Sequence, residues 1–306
     1  MDNTNELLQN FLNIHWIRPE VAMWRTLDSI QLKKIQFKKP MIDLGCGDGT
    51  FSFTNFKGKT GLDFDVYGTI KNTKGFFEGK DIQNQKSILK PTIIKKTNNT
   101  FDVGVDWKKS LLDKANELQT YQSLQKHDLN KPLLFPNEKF QTIFSNIFYW
   151  IPKVRELLQE SNRILKSSGR IIILVPDKKL KQNLIYNQYI ESGEKWAKIL
   201  DRGIYKNITK HAYSLSEWKK LFSQTGLKIE KHSQYLSPKF IKIWSIGMRP
   251  YSPYMIEMAN KISIKEKKKI KKRIIQDMTP ILRSYINYEL KKKSTEGCFH
   301  LFVLKK

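Results

Sequence analysis

The segment MIDLGCGDGTFSF, from Met41 to Phe53, constrains this chain more than any other stretch. Met41 and Ile42 are apolar, Asp43 and Leu44 follow, and glycines stand at 45, 47 and 49 before residues able to open a helix. That order predicts a strand, a tight turn and a helix N-terminus. Glycine has no Cβ, so such a turn can take positive φ and let a ligand approach its backbone. The helix behind it presents free N–H groups and the positive end of its dipole. A dinucleotide fingerprint, G-x-G-x-x-G/A, counted from Gly45 requires a small residue at position 50, where Thr50 stands instead. The spacing is D-x-G-x-G-x-G. A carboxylate ahead of the first glycine repels a pyrophosphate and suits a ligand that carries an ammonium group.

This Asp-Leu-Gly-Cys-Gly-Asp-Gly turn resembles the first motif of the class I S-adenosylmethionine-dependent methyltransferases, and the chain is similar to their type 11 group. The resemblance implies an α/β, Rossmann-like seven-stranded methyltransferase sheet whose last strand is antiparallel. It implies S-adenosyl-L-methionine as cofactor, with Asp43, Gly45, Cys46, Gly47 and Gly49 around it. In such a fold the second strand ends in an acid that holds the two ribose hydroxyls, and two places compete for that role. Asp63 or Asp65, in GLDFD, lies at nearly the usual distance from Asp43. Asp106 follows the apolar Val103 and Val105 and opens a helix carrying Leu111, Leu112, Ala115 and Leu118, as a βα unit requires. That helix favours Asp106, with Trp107 beside it, and makes residues 61–100 an insertion between the first two strands of the fold. Asp128 then matches the acid expected at the adenine amino group, Leu129 would offer a backbone N–H to the adenine ring, and His127 would orient that loop.

The order of the remaining segments is consistent with the resemblance. FQTIFSNIFYW predicts a strand ending at Ser145 and Asn146, and ligands of open α/β sheets bind outside the carboxyl ends of strands, which places Ser145, Asn146, Ile147 and Phe148 at the transfer site. VRELLQESNRILKSSGRIIILVPD predicts a helix with Val154, Leu157, Leu158, Ile164 and Leu165 on one face, a stop at Ser168-Gly169, and a buried strand Ile171 to Val175. Ser214 and Glu217 form a capping box ahead of a helix that buries Trp218, Leu221 and Phe222, stops at Gly226 and leads into a sixth strand. CFHLFVLKK supplies the last strand. Between them, residues 237–297 predict a basic helical lid: Ser263 and Glu266 form a second capping box, and Ile270, Ile274, Met278, Ile281 and Ile286 an apolar stripe opposite lysines. Residues 1–39 carry Leu7, Leu8, Phe11, Leu12 and Trp16, then Val21, Trp24, Leu27 and Ile30, at helical spacing, which predicts two helices across the cofactor mouth. The methyltransferase core is thus expected over 40–236 and 298–306.

Methyl transfer to a hydroxyl benefits from a base, and His211, just ahead of the capped helix, is the catalytic candidate. Phe148, Tyr149, Tyr213 and Arg249 are candidates for the acceptor pocket, with Trp150 and Trp244 near them in sequence. Neither Cys46 nor Cys298 stands in a nucleophile or metal-site context, and no metal is expected. Lys plus Arg is 55 against 29 Asp plus Glu, a formal net charge of +26. That excess suits anionic partners: an anionic small molecule, a glycan or lipid-linked acceptor, a peripheral membrane contact, or nucleic acid. The lysines are spread along the whole chain, which equally fits a general compositional bias. An RNA methyltransferase and a non-catalytic cofactor-binding module recruiting partners through basic helices are the alternatives. The Asn/Asp-Pro-Pro-aromatic motif of many nucleobase-amine methylating enzymes is missing at Ser145-Asn146. Two cysteines and a polar, acidic start, MDNTNELLQNFLNIHW, predict a cytoplasmic protein.

Overall fold

A computed structural model of the chain describes residues 3–78, 81–82, 84–86, 90–201, 203–247, 249–291 and 296–306. Two helices, α1 (Asn3–Ile14) and α2 (Pro19–Leu32), precede strand β1 (Met41–Leu44). Pro19 opens α2, where its missing N–H costs nothing. The glycine turn leads into the short helix α3 (Thr50–Asn55). β2 (Lys59–Thr60) and β3 (Ile93–Lys95) form a separate antiparallel pair that encloses the stretch between them. β4 (Phe101–Asp106), α4 (Lys109–Glu117), β5 (Tyr121–Lys126), β6 (Phe140–Ser145), α5 (Val154–Ile164) and β7 (Leu165–Pro176) follow as βα units. Small helices α6 (Lys179–Asn183), α7 (Asn187–Glu191), α8 (Lys195–Asp201) and α9 (Ile204–Ile208) lead to α10 (Leu215–Gln224) and β8 (Lys228–Tyr235). Then come α11 (Pro238–Ile246), α12 (Ser252–Lys261), α13 (Ile264–Lys291) and the last strand, β9 (Phe299–Lys305).

Among the described residues, seven strands form one sheet in the order β5-β4-β1-β6-β7-β9-β8. All neighbours pair in parallel except β9, which runs antiparallel to β7 and β8. The expected sheet, with its antiparallel last strand, is therefore present. Chain order reverses between β4 and β6 on either side of β1, and a doubly wound sheet opens its ligand crevice at the carboxyl ends of strands at such a point. The central strands are buried on both faces, which is why Ile171–Val175 reads as a continuous apolar run. On α5, Val154, Leu157, Leu158, Ser161 and Ile164 form the buried face.

Two expectations are corrected. The α5 helix stops at Ile164, ahead of Ser168-Gly169, because Leu165 already pairs with Phe140 of β6; the pairing then jumps to Thr142 with Arg170, so β7 bulges over the intervening residues. On α13, Met278 and Ile286 pack inward and Ile274 is half-buried as expected, but Ile270 and Ile281 face outward and Lys271, Ile275 and Leu282 take the inward places beside them. Positions 271, 275, 278, 282 and 286 follow the helical period of 3.6 residues, and the stripe is rotated away from the one expected because α1 and α2, against which α13 packs, meet it from that side.

The two inserted regions pack against each other. Buried Asp65 pairs with Lys267 of α13 at 2.9 Å, the Lys271 ammonium donates to the carbonyl of Phe64, Thr73 bonds Glu257 of α12, and Asn260 donates to the carbonyl of Ile70 at 2.8 Å. Trp16, Ile17, Tyr67, Ile70, Phe76 and Ile256 close a second small core between them. The result is one cap made from segments far apart in sequence.

Candidate active site

The glycine turn is held from behind. Gly45 and Cys46 donate to the carbonyl of Val105 at 2.8 and 2.9 Å, and Gly49 to that of Cys46 at 3.1 Å. Gly45, Gly47 and Gly49 all have positive φ. A Cβ on Gly45 would stand 2.0 Å from Cγ1 of Ile147, so this glycine permits the turn to lie against the loop after β6. Among the described residues, nothing lies within 4 Å of a Cβ position on Gly47 (φ +57°), so its face is open. Of the three, Gly47 is the one at which a ligand can come close to the backbone.

Asp43 is 2% exposed, and its Oδ2 accepts from the hydroxyls of Ser52 (2.6 Å) and Tyr121 (2.8 Å). Its carboxyl ties β1 to α3 and β5, and burial raises its pKa to about 6 against those two hydrogen bonds. Asp106 is 8% exposed at the carboxyl end of β4. Its Oδ2 accepts from the Gly47 N–H at 3.1 Å and its Oδ1 from the Lys108 N–H at 2.9 Å, so one carboxylate fixes both the turn and the start of the α4 segment. Burial again raises its pKa, partly offset by those N–H groups. Trp107 beside it is exposed, with the Lys108 ammonium 5.1 Å from its ring centroid.

Across the next strand, the His127 N–H donates to the Asp106 carbonyl at 3.0 Å. Asp128 follows at the same edge, its Oδ1 accepting from the backbone and side-chain N–H groups of Asn130, which lower its pKa. Leu129 is buried in the main core. Asp63 and Asp65 lie elsewhere: Asp63 accepts from Thr92 in the inserted pair, and Asp65 accepts from Trp16, Tyr67 and Lys267. Because β2 is outside the main sheet and β4 lies next to β1, Asp106 is the acid that ends the strand beside the glycine turn.

At the end of β6 the Ser145 hydroxyl donates to the Leu44 carbonyl at 2.7 Å and accepts from the Ile147 N–H at 3.2 Å, a buried clasp between β6 and β1. Asn146 is half-buried there. Phe148 and Tyr149 are buried in the main core, as is Trp244, while Trp150 is exposed. The 3-10 turn Thr209–His211 packs on the 3-10 turn Phe148–Trp150, which carries His211 to this edge of the sheet. His211 is 8% exposed; its Nδ1 lies 3.0 Å from the Tyr213 hydroxyl and its buried Nε2 has no partner among the described residues. Burial, with Lys210 in addition, lowers its pKa and keeps the imidazole neutral at neutral pH. Tyr213 packs edge-on to Trp218 at 5.0 Å. The side chain of Arg249 lies outside the described residues.

The charges that act on Cys46 are all acidic, while Lys108 and Lys114 lie further out beside Asp106 and Asp48. Burial first, then Asp43, Asp106 and Asp48, push the Cys46 thiol well above its ordinary pKa, so it is no nucleophile, and the three carboxylates make this corner attractive to a cation. Among the described residues no cluster of three His, Cys, Asp or Glu could hold a metal.

A family model described as a methyltransferase domain matches residues 18–232. The chain belongs to the methyltransferase domain family. S-adenosyl-L-methionine is the cofactor that the resemblance of the glycine turn leads one to expect. No curated protein matches the sequence of this methyltransferase. Among solved structures it is similar to an S-adenosylmethionine-dependent methyltransferase from Thermotoga maritima (14% identity, 92% of this chain and 88% of that one, TM-score 0.45). One from Mesorhizobium loti gives 13%, 87%, 90% and 0.44 for the same quantities. Geranyl diphosphate C-methyltransferase from Streptomyces coelicolor gives 12%, 92%, 77% and 0.43. The site of this chain fits the cofactor on its own chemistry. A sulfonium and an ammonium are cations, and the open face of Gly47 lies beside the buried carboxylate of Asp106 within the acidic corner. The sequence reading missed Ser52 and Tyr121, which lock Asp43; no local spacing marks hydroxyls that meet only when three elements are packed.

Proposed function

We propose that this methyltransferase acts on a small-molecule acceptor bearing an anionic group, bound between the carboxyl edge of the sheet and the cap. The observation that carries this reading is the cap itself. Its inserted stretch reaches the start of α4 through Asp81 with Lys108 and Asn84 with Ser110, two and four residues past Asp106. A cavity of about 80 Å³ lies within the cap's own small core, lined by Tyr67, Ile70, Phe76 and Ile256 with Arg18, Asp81 and Ser252. A sheet edge roofed in this way suits a small acceptor better than a nucleic-acid strand.

Asp106 is assigned to the ribose hydroxyls, with the open backbone of Gly47 against the amino-acid end, Asp128 and the Leu129 N–H toward the adenine, and Trp107 at the rim. Asp43 acts from behind, fixing the turn and adding negative charge. The cofactor supplies a methyl group on a sulfonium, and transfer is an in-line displacement in which holding the acceptor and excluding water are the protein's main contribution. His211 is assigned as the proton acceptor for an acceptor hydroxyl or amine. If Nδ1–H donates to the Tyr213 hydroxyl, the lone pair of the unpartnered Nε2 is left for that proton.

Calorimetric titration of S-adenosylmethionine into wild type, Asp106→Ala and Asp63→Ala tests the cofactor assignment. Micromolar binding lost only with Asp106→Ala is expected; equal binding by folded Asp106→Ala would remove the ribose role. Incubation with methyl-labelled cofactor and a cell extract then tests the acceptor class. Label in the small-molecule fraction is expected, label in RNA would favour the nucleic-acid alternative, and no label would leave a binding module.

A further inference from the structure

A guanidinium that no local pattern marks stands at the same edge of the sheet. Arg25 lies on α2, and its Nη1 donates to Oδ2 of Asp28 at 2.9 Å. Asp28 is fully buried and is fixed from its other oxygen by the hydroxyl of Tyr235, at the carboxyl end of β8, at 2.7 Å. The guanidinium carbon sits 5.5 Å from the ring centroid of Phe51, the second residue of α3. Phe51 in turn stacks at 6.0 Å on Phe144, the residue before Ser145. Tyr149, just past β6, also lies near Arg25. The side chain is thus anchored over the junction between the glycine turn and the end of β6, where the reaction described above must occur.

Arg25 is incompletely used. A guanidinium has five N–H donors in a fork suited to two oxygens of one anion. Among the described residues one donor is spent, on Asp28, and the side chain keeps 30% exposure. The nearby Arg18 is paired with buried Glu20 at 2.9 Å. His15, near both arginines, is pushed down to about 3, first by burial and then by those two cations, so it carries no charge near neutral pH. Asp28 is committed to Arg25 and Tyr235, so it orients the fork without filling its free side.

We propose that Arg25 is the anion-binding residue of the transfer site, taking a carboxylate or phosphate group of the bound molecules through the free side of its guanidinium. The proposal rests on the methyltransferase reading of the site and adds the chemical group that the site recognises. That group has two sources, the amino-acid end of the cofactor and the acceptor.

The test compares wild type, Arg25→Lys and the double variant Arg25→Gln/Asp28→Asn, which removes both charges and so leaves no buried carboxylate unpaired. Calorimetry measures binding of S-adenosylhomocysteine, of 5′-methylthioadenosine, which lacks the amino-acid carboxylate, and of pyrophosphate and succinate with S-adenosylhomocysteine saturating. A ten- to hundredfold loss is the size expected for a charge-assisted hydrogen-bonding group, roughly. Such a loss for S-adenosylhomocysteine, with 5′-methylthioadenosine unchanged, supports the proposal with the cofactor as source. Loss confined to pyrophosphate or succinate supports it with the acceptor as source. Unchanged affinities for all four in both folded variants overturn it. Wild type without affinity for S-adenosylhomocysteine or 5′-methylthioadenosine would instead sink the methyltransferase reading, and titration of the anions alone would then decide Arg25 by the same comparison.

Discussion

Replacing Asp43 by asparagine separates what this carboxylate costs the fold from what it gives the site. The group is buried, accepts from Ser52 and Tyr121, and has its pKa raised from 3.8 to about 6. A carboxyl raised in this way binds more protons in the folded than in the unfolded chain between those two values, so its contribution to stability falls as pH rises through that window and stays low above it. At neutral pH the cost of keeping it ionised is about 3 kcal/mol, at 1.36 kcal/mol per pKa unit. An asparagine amide there can accept the same two hydroxyl bonds and carries no charge, but its N–H groups need partners, a penalty that does not vary with pH. The informative quantity is therefore the difference between variant and wild type across pH. Urea unfolding at a series of pH values should show the unfolding free energy of Asp43→Asn, relative to wild type, rising by about 2 kcal/mol between about pH 4.5 and about pH 7.5. The same variant should bind S-adenosylmethionine more weakly, since it removes one of the charges that make the turn attractive to a cation. Parallel stability curves over that range would refute the account of Asp43 as a costly buried charge.

The other predictions rest on single positions. Gly47→Ala should cost only about 1 kcal/mol of stability, the strain of an L-residue at positive φ, because none of the described residues lies within 4 Å of the new methyl, yet abolish calorimetric cofactor binding. Retained affinity would mean the open face of the turn is not the binding face. Gly45→Ala should lower the melting temperature far more, since its methyl would meet Ile147 at 2.0 Å. His211→Gln should leave cofactor affinity intact and slow labelled methyl transfer by roughly a hundredfold or more if His211 takes the proton; an unchanged rate would make it a packing residue. Lys271 is fully buried and its pKa is lowered to about 8, chiefly by burial. A lowered lysine weakens the fold while protonated and is relieved as pH rises from about 8 toward 10.5, so Lys271→Met should gain stability at neutral pH and the gain should shrink in that alkaline range. A gain independent of pH, read from denaturant unfolding, would refute that assignment.

Local pattern determined much of this protein. The glycine spacing from Asp43 to Gly49 specifies a turn that only glycine can make at positive φ, and the capping box at Ser214 and Glu217 forms as read. Apolar periods located α1, α2, α5 and α10, and the continuous apolar run located β7. These features depend on residues a few positions apart, so one sequence suffices to see them. Tertiary structure decided what depends on distant partners. The helix after Asp106 favours it over Asp63 and Asp65, but only the pairing of β1 with β4, and of Asp65 with Lys267 202 positions away, makes Asp106 a strand-end acid beside the glycine turn and Asp65 a strut of the cap. The outward turn of Ile270 and Ile281, the burial of Lys271 on the inward stripe and the merging of two insertions into one cap follow from which helices happen to face α13. Arg25 carries no motif at all, and becomes a candidate binding group only because Tyr235, 207 positions from Asp28, fixes the acid that aims it. Periodicity reports which side of an element is apolar, whereas the partner that covers that side, and the charge it brings, are set by long-range packing.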